Sequence, residues 1–171
     1  FLDTCDALSS YKTMEEKLEI LKDSHAGAFA ILMGCCYFVL DYGVFHAVDL
    51  RAIRLLAIGY VLSRAFSGLA IVVFKKARKS GLAATFSDSA QKKTVAVTML
   101  LYIAACAVLM ALTDPVIGSL CFLTALLVFG WYRYMSYQKF GGITGDLAGF
   151  FLQVCELAMA FVTVIAIHLI G

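Results

Sequence analysis

Asp3 and Asp6 stand three residues apart, so on a helix both carboxylates point to one face. Two carboxylates held that close repel, and a cation or a shared proton must relieve them. Mg2+ suits such a pair because it takes hard oxygen ligands and bridges to phosphates. A solvated acidic turn is the plainer alternative. Lys22-Asp23-Ser24-His25-Ala26-Gly27 gathers a cation, a carboxylate, a hydroxyl and an imidazole just ahead of the first apolar run. It reads either as a set of substrate contacts or as an interfacial anchor. Lys75-Lys76-Ala77-Arg78-Lys79-Ser80-Gly81-Leu82 is basic and could hold phosphate groups; contact with anionic lipid is the alternative. Gly141-Gly142-Ile143-Thr144-Gly145-Asp146 is the sharpest local feature. Its glycines allow close backbone approach and positive φ. Its N–H groups, with the helix start that follows, could bind phosphate oxygens, and Asp146 could bind the metal that neutralises them. A simple turn remains open.

These segments need elements that bring them together, and composition says what kind. Of 171 residues, 62% are hydrophobic and 15% charged, against about 25% charged in a typical soluble domain. Mean hydropathy is +0.89. That excludes a disordered chain, a basic nucleic-acid-binding domain and an ordinary soluble globule. Five runs are long enough to cross a bilayer, at about 26–48, 53–74, 94–112, 116–135 and 147–170. The polar stretch 1–25 carries capping-box spacing at Thr13 and Glu16, with Met14, Leu18 and Leu21 recurring at helical intervals. It predicts an amphipathic helix beside or on the membrane. The fold class is therefore all-α: one membrane-embedded domain over 1–171, with an N-terminal amphipathic helix and a five-span bundle. The six cysteines lie mostly within apolar runs, without paired CxxC motifs, and read as small packing residues rather than zinc ligands or disulfides. The chain opens on Phe1 with no signal-peptide pattern and is expected to be a piece cut from a longer one.

Charge sets the expected orientation. Segments 1–25, 75–93 and 132–146 carry eleven of the fourteen Lys and Arg residues and fall on one side of a five-span topology. The positive-inside rule makes that side cytoplasmic. All the polar motifs above therefore crowd one face. In the last span Asp146, Gly149, Gln153 and Glu156 fall within about 80° of arc, a polar stripe expected to face the bundle interior. Glu156 lies about 15 Å deeper than Asp146 along that helix. Arg64, ten residues before Phe74, falls at similar depth. The two are expected to pair, because either alone in lipid is costly.

Asp3-Thr4-Cys5-Asp6-Ala7, then Leu18-Glu19-Ile20-Leu21-Lys22-Asp23-Ser24, then Gly27-Ala28-Phe29, resemble the cobalamin synthase family (adenosylcobinamide-GDP ribazoletransferase). So do Ser63-Arg64, Ala77-Arg78-Lys79-Ser80-Gly81-Leu82, and Gly142-Ile143-Thr144-Gly145-Asp146 followed by Glu156, in order over essentially the whole chain. The resemblance implies a polytopic, Mg2+-dependent enzyme of cobalamin biosynthesis. It would join adenosylcobinamide-GDP to α-ribazole, or its 5′-phosphate, and release GMP. It implies catalytic roles for Asp3, Asp6, Asp23 and Asp146, with Asp3, Asp6 and Asp146 holding Mg2+ and Asp23 serving as ligand or base. It implies substrate contacts from Lys22, Ser24, His25, Ser63, Arg64, Arg78, Gly81, Gly142, Thr144, Gly145 and Glu156. It also implies residence in a prokaryotic cell membrane with a cytoplasmic active face, and no nucleic-acid partner; homo-oligomerisation is left open. His25 stands where many members have Arg, and Lys75-Lys76 where many have Pro-Tyr. The family's acidic motif begins with an Asp upstream of Phe1. A CDP-alcohol phosphotransferase is the enzymatic alternative, and a small transporter or membrane scaffold the non-enzymatic one.

Overall fold

A computed structural model describes residues 1–23, 25–77 and 92–170. The described residues form seven helices: α1 (Leu2–Ser9), α2 (Met14–Ile20), α3 (Ala28–His46), α4 (Leu50–Val73), α5 (Lys92–Thr113), α6 (Pro115–Phe140) and α7 (Gly145–Ile170). The last five are each long and apolar enough to cross a membrane, and the protein is an integral membrane helix bundle. Large apolar side chains on its outside, such as Phe38 and Val39 at 71% exposure and Leu169 at 79%, need lipid rather than water around them. The expected spans hold, with ends shifted by a few residues. The 1–25 stretch differs: it carries two short helices rather than one, interrupted at residues 10–13. Thr13 ends the break by capping α2. Its hydroxyl accepts from Glu16 N–H (3.4 Å), while the Glu16 carboxylate accepts from Thr13 N–H (2.8 Å).

The long helices start and stop on residues suited to the task. Asp49 caps α4 by accepting from Ala52 N–H at 2.7 Å. Asp114 caps α6, accepting from Ile117 N–H (3.0 Å) and Val116 N–H (3.2 Å), with Pro115 in the first turn where its missing N–H costs nothing. The α5–α6 turn is so tight that a Cβ on Gly118 would lie 2.2 Å from the Met110 carbonyl oxygen. Arg51, from the start of α4, pairs with Asp114 and ties that turn to α4.

α4 packs against α5 and α7, and α6 packs against α5 and α7. Lipid removes the hydrophobic drive between spans, so close packing must hold them. A run of aromatic rings supplies it across three helices. Phe66 of α4 and Phe74, just past its end, stack on Phe129 of α6 with centroids 4.6 and 5.2 Å apart, and Tyr132 of α6 stacks on Phe151 of α7 at 4.9 Å. Each such pair contributes about 0.5–1.5 kcal/mol beyond its packing area. α3 packs mainly on α1 and the side of α7. Phe1 wedges between them, with its ring 5.0 Å from Tyr37 and 5.4 Å from Phe150.

Candidate active site

Three segments distant in sequence meet at one end of the bundle. The 75–77 stretch lies parallel to Ile143: Ile143 N–H donates to the Lys75 carbonyl and Ala77 N–H to the Ile143 carbonyl, both at 2.9 Å. α1 lies against the start of α7, where the buried Thr4 hydroxyl donates to the Asp146 carbonyl at 3.4 Å. α2 packs on the end of α6. Lys17, buried in that contact, is pulled below the ordinary lysine range, first by burial and then by Lys139 nearby. The charge asymmetry thus predicted a real juxtaposition: 1–25, 75–77 and 132–146 share one end.

The glycines of 141–146 have a local explanation. Gly141 ends α6 in the left-handed region (φ +72°), its N–H donating to Tyr137 O at 3.2 Å. Gly142 sits at φ +155°, and a Cβ there would lie 2.5 Å from Lys75 O and 2.6 Å from Ala77 N. Its N–H donates to Ser136 O at 3.1 Å. The N–H groups of 141 and 142 are therefore spent inside the turn and that of Ile143 on Lys75, and the close chain crossing by itself accounts for glycine at 142. Thr144 caps α7 through its hydroxyl, which accepts from Leu147 N–H at 3.2 Å. Gly145 and Asp146 then occupy the first turn of α7, whose N–H groups have no partner within the helix. Any anion-binding capacity of this segment rests there.

The carboxylates take separate partners. Asp6 Oδ2 accepts from Gly27 N–H at 3.0 Å, tying the start of α3 to α1. Asp23 Oδ1 accepts from His25 N–H (3.0 Å) and lies 2.8 Å from its Nδ1. The backbone bond first, and the ring bond second, hold the Asp23 carboxyl below its usual range. Lys22 reaches Glu19 at 2.6 Å. Asp6, Asp23 and His25 line a groove of about 470 Å³ together with Ser9, Ser10, Lys12 and Phe29. Among the described residues, no three His, Cys, Asp or Glu side chains gather closely enough to cage a metal ion. Asp3, Asp6 and Asp146 thus do not form a closed three-carboxylate set. They remain hard oxygen donors at one end of the bundle, and Mg2+ commonly takes one or two carboxylates and completes its shell with water and phosphate oxygens. Ser24, Arg78 and Gly81 lie outside the described residues.

Deeper in the bundle, the expected pair forms. Arg64 bonds Glu156, which also accepts from the fully buried Ser63 hydroxyl at 2.7 Å. Arg64 further donates to Tyr60 O at 3.0 Å. The polar stripe of α7 is interior only in part: Glu156 faces α4, whereas Gly149 is exposed with open space around it. Sequence reasoning missed the Arg51–Asp114 pair, although an Asp-Pro at a helix start signals the cap. It also left unread the placement of Arg133 over the Phe74 and Tyr137 rings.

Comparison with known proteins gives one family. A family model described as cobalamin-5-phosphate synthase matches residues 1–164. A protein of Lachnoclostridium phytofermentans named adenosylcobinamide-GDP ribazoletransferase is 47% identical over 166 residues, covering 97% of this chain and 64% of its own length. Proteins of the same name from Geobacillus sp. (strain WCH70) and Treponema denticola are 31% and 32% identical, covering 91% and 92% of this chain and 61% and 65% of their own lengths. The chain thus spans just under two thirds of these relatives' length. No solved structure matches it.

Proposed function

The chain belongs to the cobalamin-5-phosphate synthase family, and from that premise we propose that it carries the catalytic end of an adenosylcobinamide-GDP ribazoletransferase. In the reaction, a hydroxyl of α-ribazole, or of its 5′-phosphate, attacks the phosphorus attached to cobinamide. A new P–O bond forms, the bond to the bridging oxygen breaks, GMP departs and the hydroxyl proton is lost. The observation that carries this reading is the Thr4–Asp146 hydrogen bond, which seats the α1 acidic motif against the mouth of α7. Phosphoryl transfer asks for positioning and charge neutralisation more than for covalent chemistry.

The residues divide that work. Asp3 and Asp146 would hold Mg2+, a reading supported by the Thr4–Asp146 contact that docks α1 on the start of α7; Asp6, which accepts from Gly27 N–H, would be a further donor. When bound, Mg2+ would neutralise charge on the pyrophosphate. The first-turn N–H groups of Gly145 and Asp146 suit phosphate oxygens. Lys22 and Lys75 supply cations at the same end, and the family resemblance assigns Arg78 to the phosphate as well. Asp23, kept as a carboxylate, is better suited to orient His25 than to take the proton itself. With Nδ1–H directed to Asp23, Nε2 is the ring's basic atom, on a side chain that lines the groove. The Ser63–Arg64–Glu156 network stands about 15 Å below Asp146, and its part is to fix the register of α7 against α4. The basic end faces the cytoplasm of a prokaryotic cell by the positive-inside rule.

The test is GMP release from adenosylcobinamide-GDP plus α-ribazole by the protein in proteoliposomes, across a Mg2+ titration. Asp3→Asn and Asp146→Asn are each expected to lower turnover by at least about 100-fold and to raise the Mg2+ requirement, with helix content unchanged. Wild-type turnover and Mg2+ dependence in both variants would refute the assignment.

A further inference from the structure

Arg133 has no part in the chemistry above, yet the fold holds it with care. Its guanidinium lies 5.3 Å from the centroid of Phe74 and 5.6 Å from that of Tyr137. Those rings meet edge to face at 6.2 Å and 86°. Tyr137 is itself fixed, because its hydroxyl accepts from Lys75 N–H at 2.8 Å. The aromatic faces attract the cation but use none of its N–H donors. No carboxylate among the described residues forms an ion pair with Arg133. A planar fork fixed in place, with no hydrogen bond to another of the described residues, suits a phosphate.

The surroundings say which phosphate. Arg133 lies within two turns of the polar end of a membrane-spanning helix, at the depth of lipid headgroups. A cavity of about 300 Å³ there is lined by Gly130, Arg133, Tyr134, Tyr137 and Gln138, one face of α6. Towards the membrane centre, that face continues as exposed Leu127 (66%) and Leu123 (49%). Gly130 leaves a notch in it, with nothing within 4 Å of where its Cβ would be. Tyr134, 65% exposed, stands at the boundary as interfacial tyrosines do. A cation fork above an apolar, notched track matches a phosphate joined to an acyl chain.

The geometry points to a binding site for an anionic phospholipid on α6, with Arg133 on the headgroup phosphate and the Leu127–Gly130 track under one chain. It is separate from the Asp146 mouth and does not depend on the reaction proposed there.

Native mass spectrometry of the detergent-solubilised protein, titrated with phosphatidylglycerol or phosphatidylcholine, reads the first bound lipid. The wild type is expected to favour phosphatidylglycerol about fivefold, the factor carried by one cation near an anionic headgroup. Arg133→Gln should bring the ratio close to one. Arg133→Lys, which keeps the charge but loses the fork, should fall to about twofold. Lys93→Gln, an exposed cation at the same end, should leave it at about fivefold. An unchanged ratio in Arg133→Lys overturns the fork; an equal drop in Lys93→Gln shows diffuse attraction and overturns the site. Displacement of phosphatidylglycerol by inorganic phosphate or GMP would reassign the pocket to a soluble phosphate and overturn the lipid. Thermal melts accompany each variant, and Arg133→Lys decides between these outcomes if Arg133→Gln does not fold.

Discussion

Removing Arg64 should cost more than removing its partner, and the structure gives the reason. The Glu156 side chain is only 16% exposed, whereas that of Arg64 is 60% exposed. Arg64→Gln therefore strands a carboxylate inside the bundle with only the Ser63 hydroxyl to bond it, a charge whose cost at mid-span is about 2.5–3.5 kcal/mol. Glu156→Gln strands an arginine that still bonds Tyr60 O and whose long stem can carry the charge outward. Its expected cost is about 1 kcal/mol, because the stem lets the cation leave the depth at which a fixed charge costs more. The double variant removes both charges and leaves two amides able to bond each other, so it should cost about 1–2 kcal/mol. The coupling energy is then about 2 kcal/mol, well above the ~0.5 kcal/mol at which independent sites add. The assay is reversible unfolding in mixed lipid–detergent micelles, run as a double-mutant cycle with Ser63→Ala as a third corner. Additive losses, or a larger loss from Glu156→Gln than from Arg64→Gln, would refute the reasoning. The first would mean that no energetic pair exists, the second that the arginine is the desolvated member.

Three further outcomes follow from single contacts. Gly142→Ala forces a Cβ to within 2.5 Å of the Lys75 carbonyl oxygen, so it should open the 75–77/143 pairing at a cost of about 2–3 kcal/mol; hydrogen exchange at the Ala77 and Ile143 amides should speed together while the α5–α6 turn stays protected. Asp114→Ala removes a cap and strands Arg51, and should cost about 2–3 kcal/mol in the same unfolding assay, whereas Asp114→Asn keeps the cap and should cost about 1 kcal/mol. The Asp114 carboxyl is held low first by the Ile117 backbone bond and then by Arg51, so this stabilisation is full above the unfolded carboxyl value near 3.9 and is lost as pH falls through the lower folded one. A carboxyl-carbon NMR titration of His25→Ala should show Asp23 titrating higher than in wild type, because the ring bond is gone; it should remain below the free value, since the His25 backbone bond stays. An unchanged Asp23 midpoint would show that the ring does not hold it.

How much of this was legible in the residues follows from how local each determinant is. Runs of apolar side chains, a Thr13–Glu16 capping box and an Asp-Pro helix start act over a few neighbours, so the sequence alone determines the spans and the caps. The split of 1–25 into two helices was not read, because residues 10–13 carry no strong breaker and the bend depends on α1 docking against α3 and α7. Charge asymmetry acts across the bilayer as a whole; it gathers 1–25, 75–93 and 132–146 on one side, and the described parts of the three segments do share one end. Depth counting at 1.5 Å per residue was enough to pair Arg64 with Glu156. What only the tertiary structure decided is which faces meet. Gly142 looks the same whether it cradles a phosphate or lets Lys75 pass; the Lys75 carbonyl lying where its Cβ would be is enough to require glycine there. Asp6 looks like a free ligand until Gly27 N–H, 21 residues away, is found on it. Arg133 reads as one more positive-inside residue until Phe74, at the end of α4, is seen holding it together with Tyr137 of its own helix. Helix periodicity fixes angles around one axis, but the rotation of each helix against its neighbours comes from side-chain packing among all of them. That rotation determines where the carboxylates, the N–H groups and the aromatic rings finally stand.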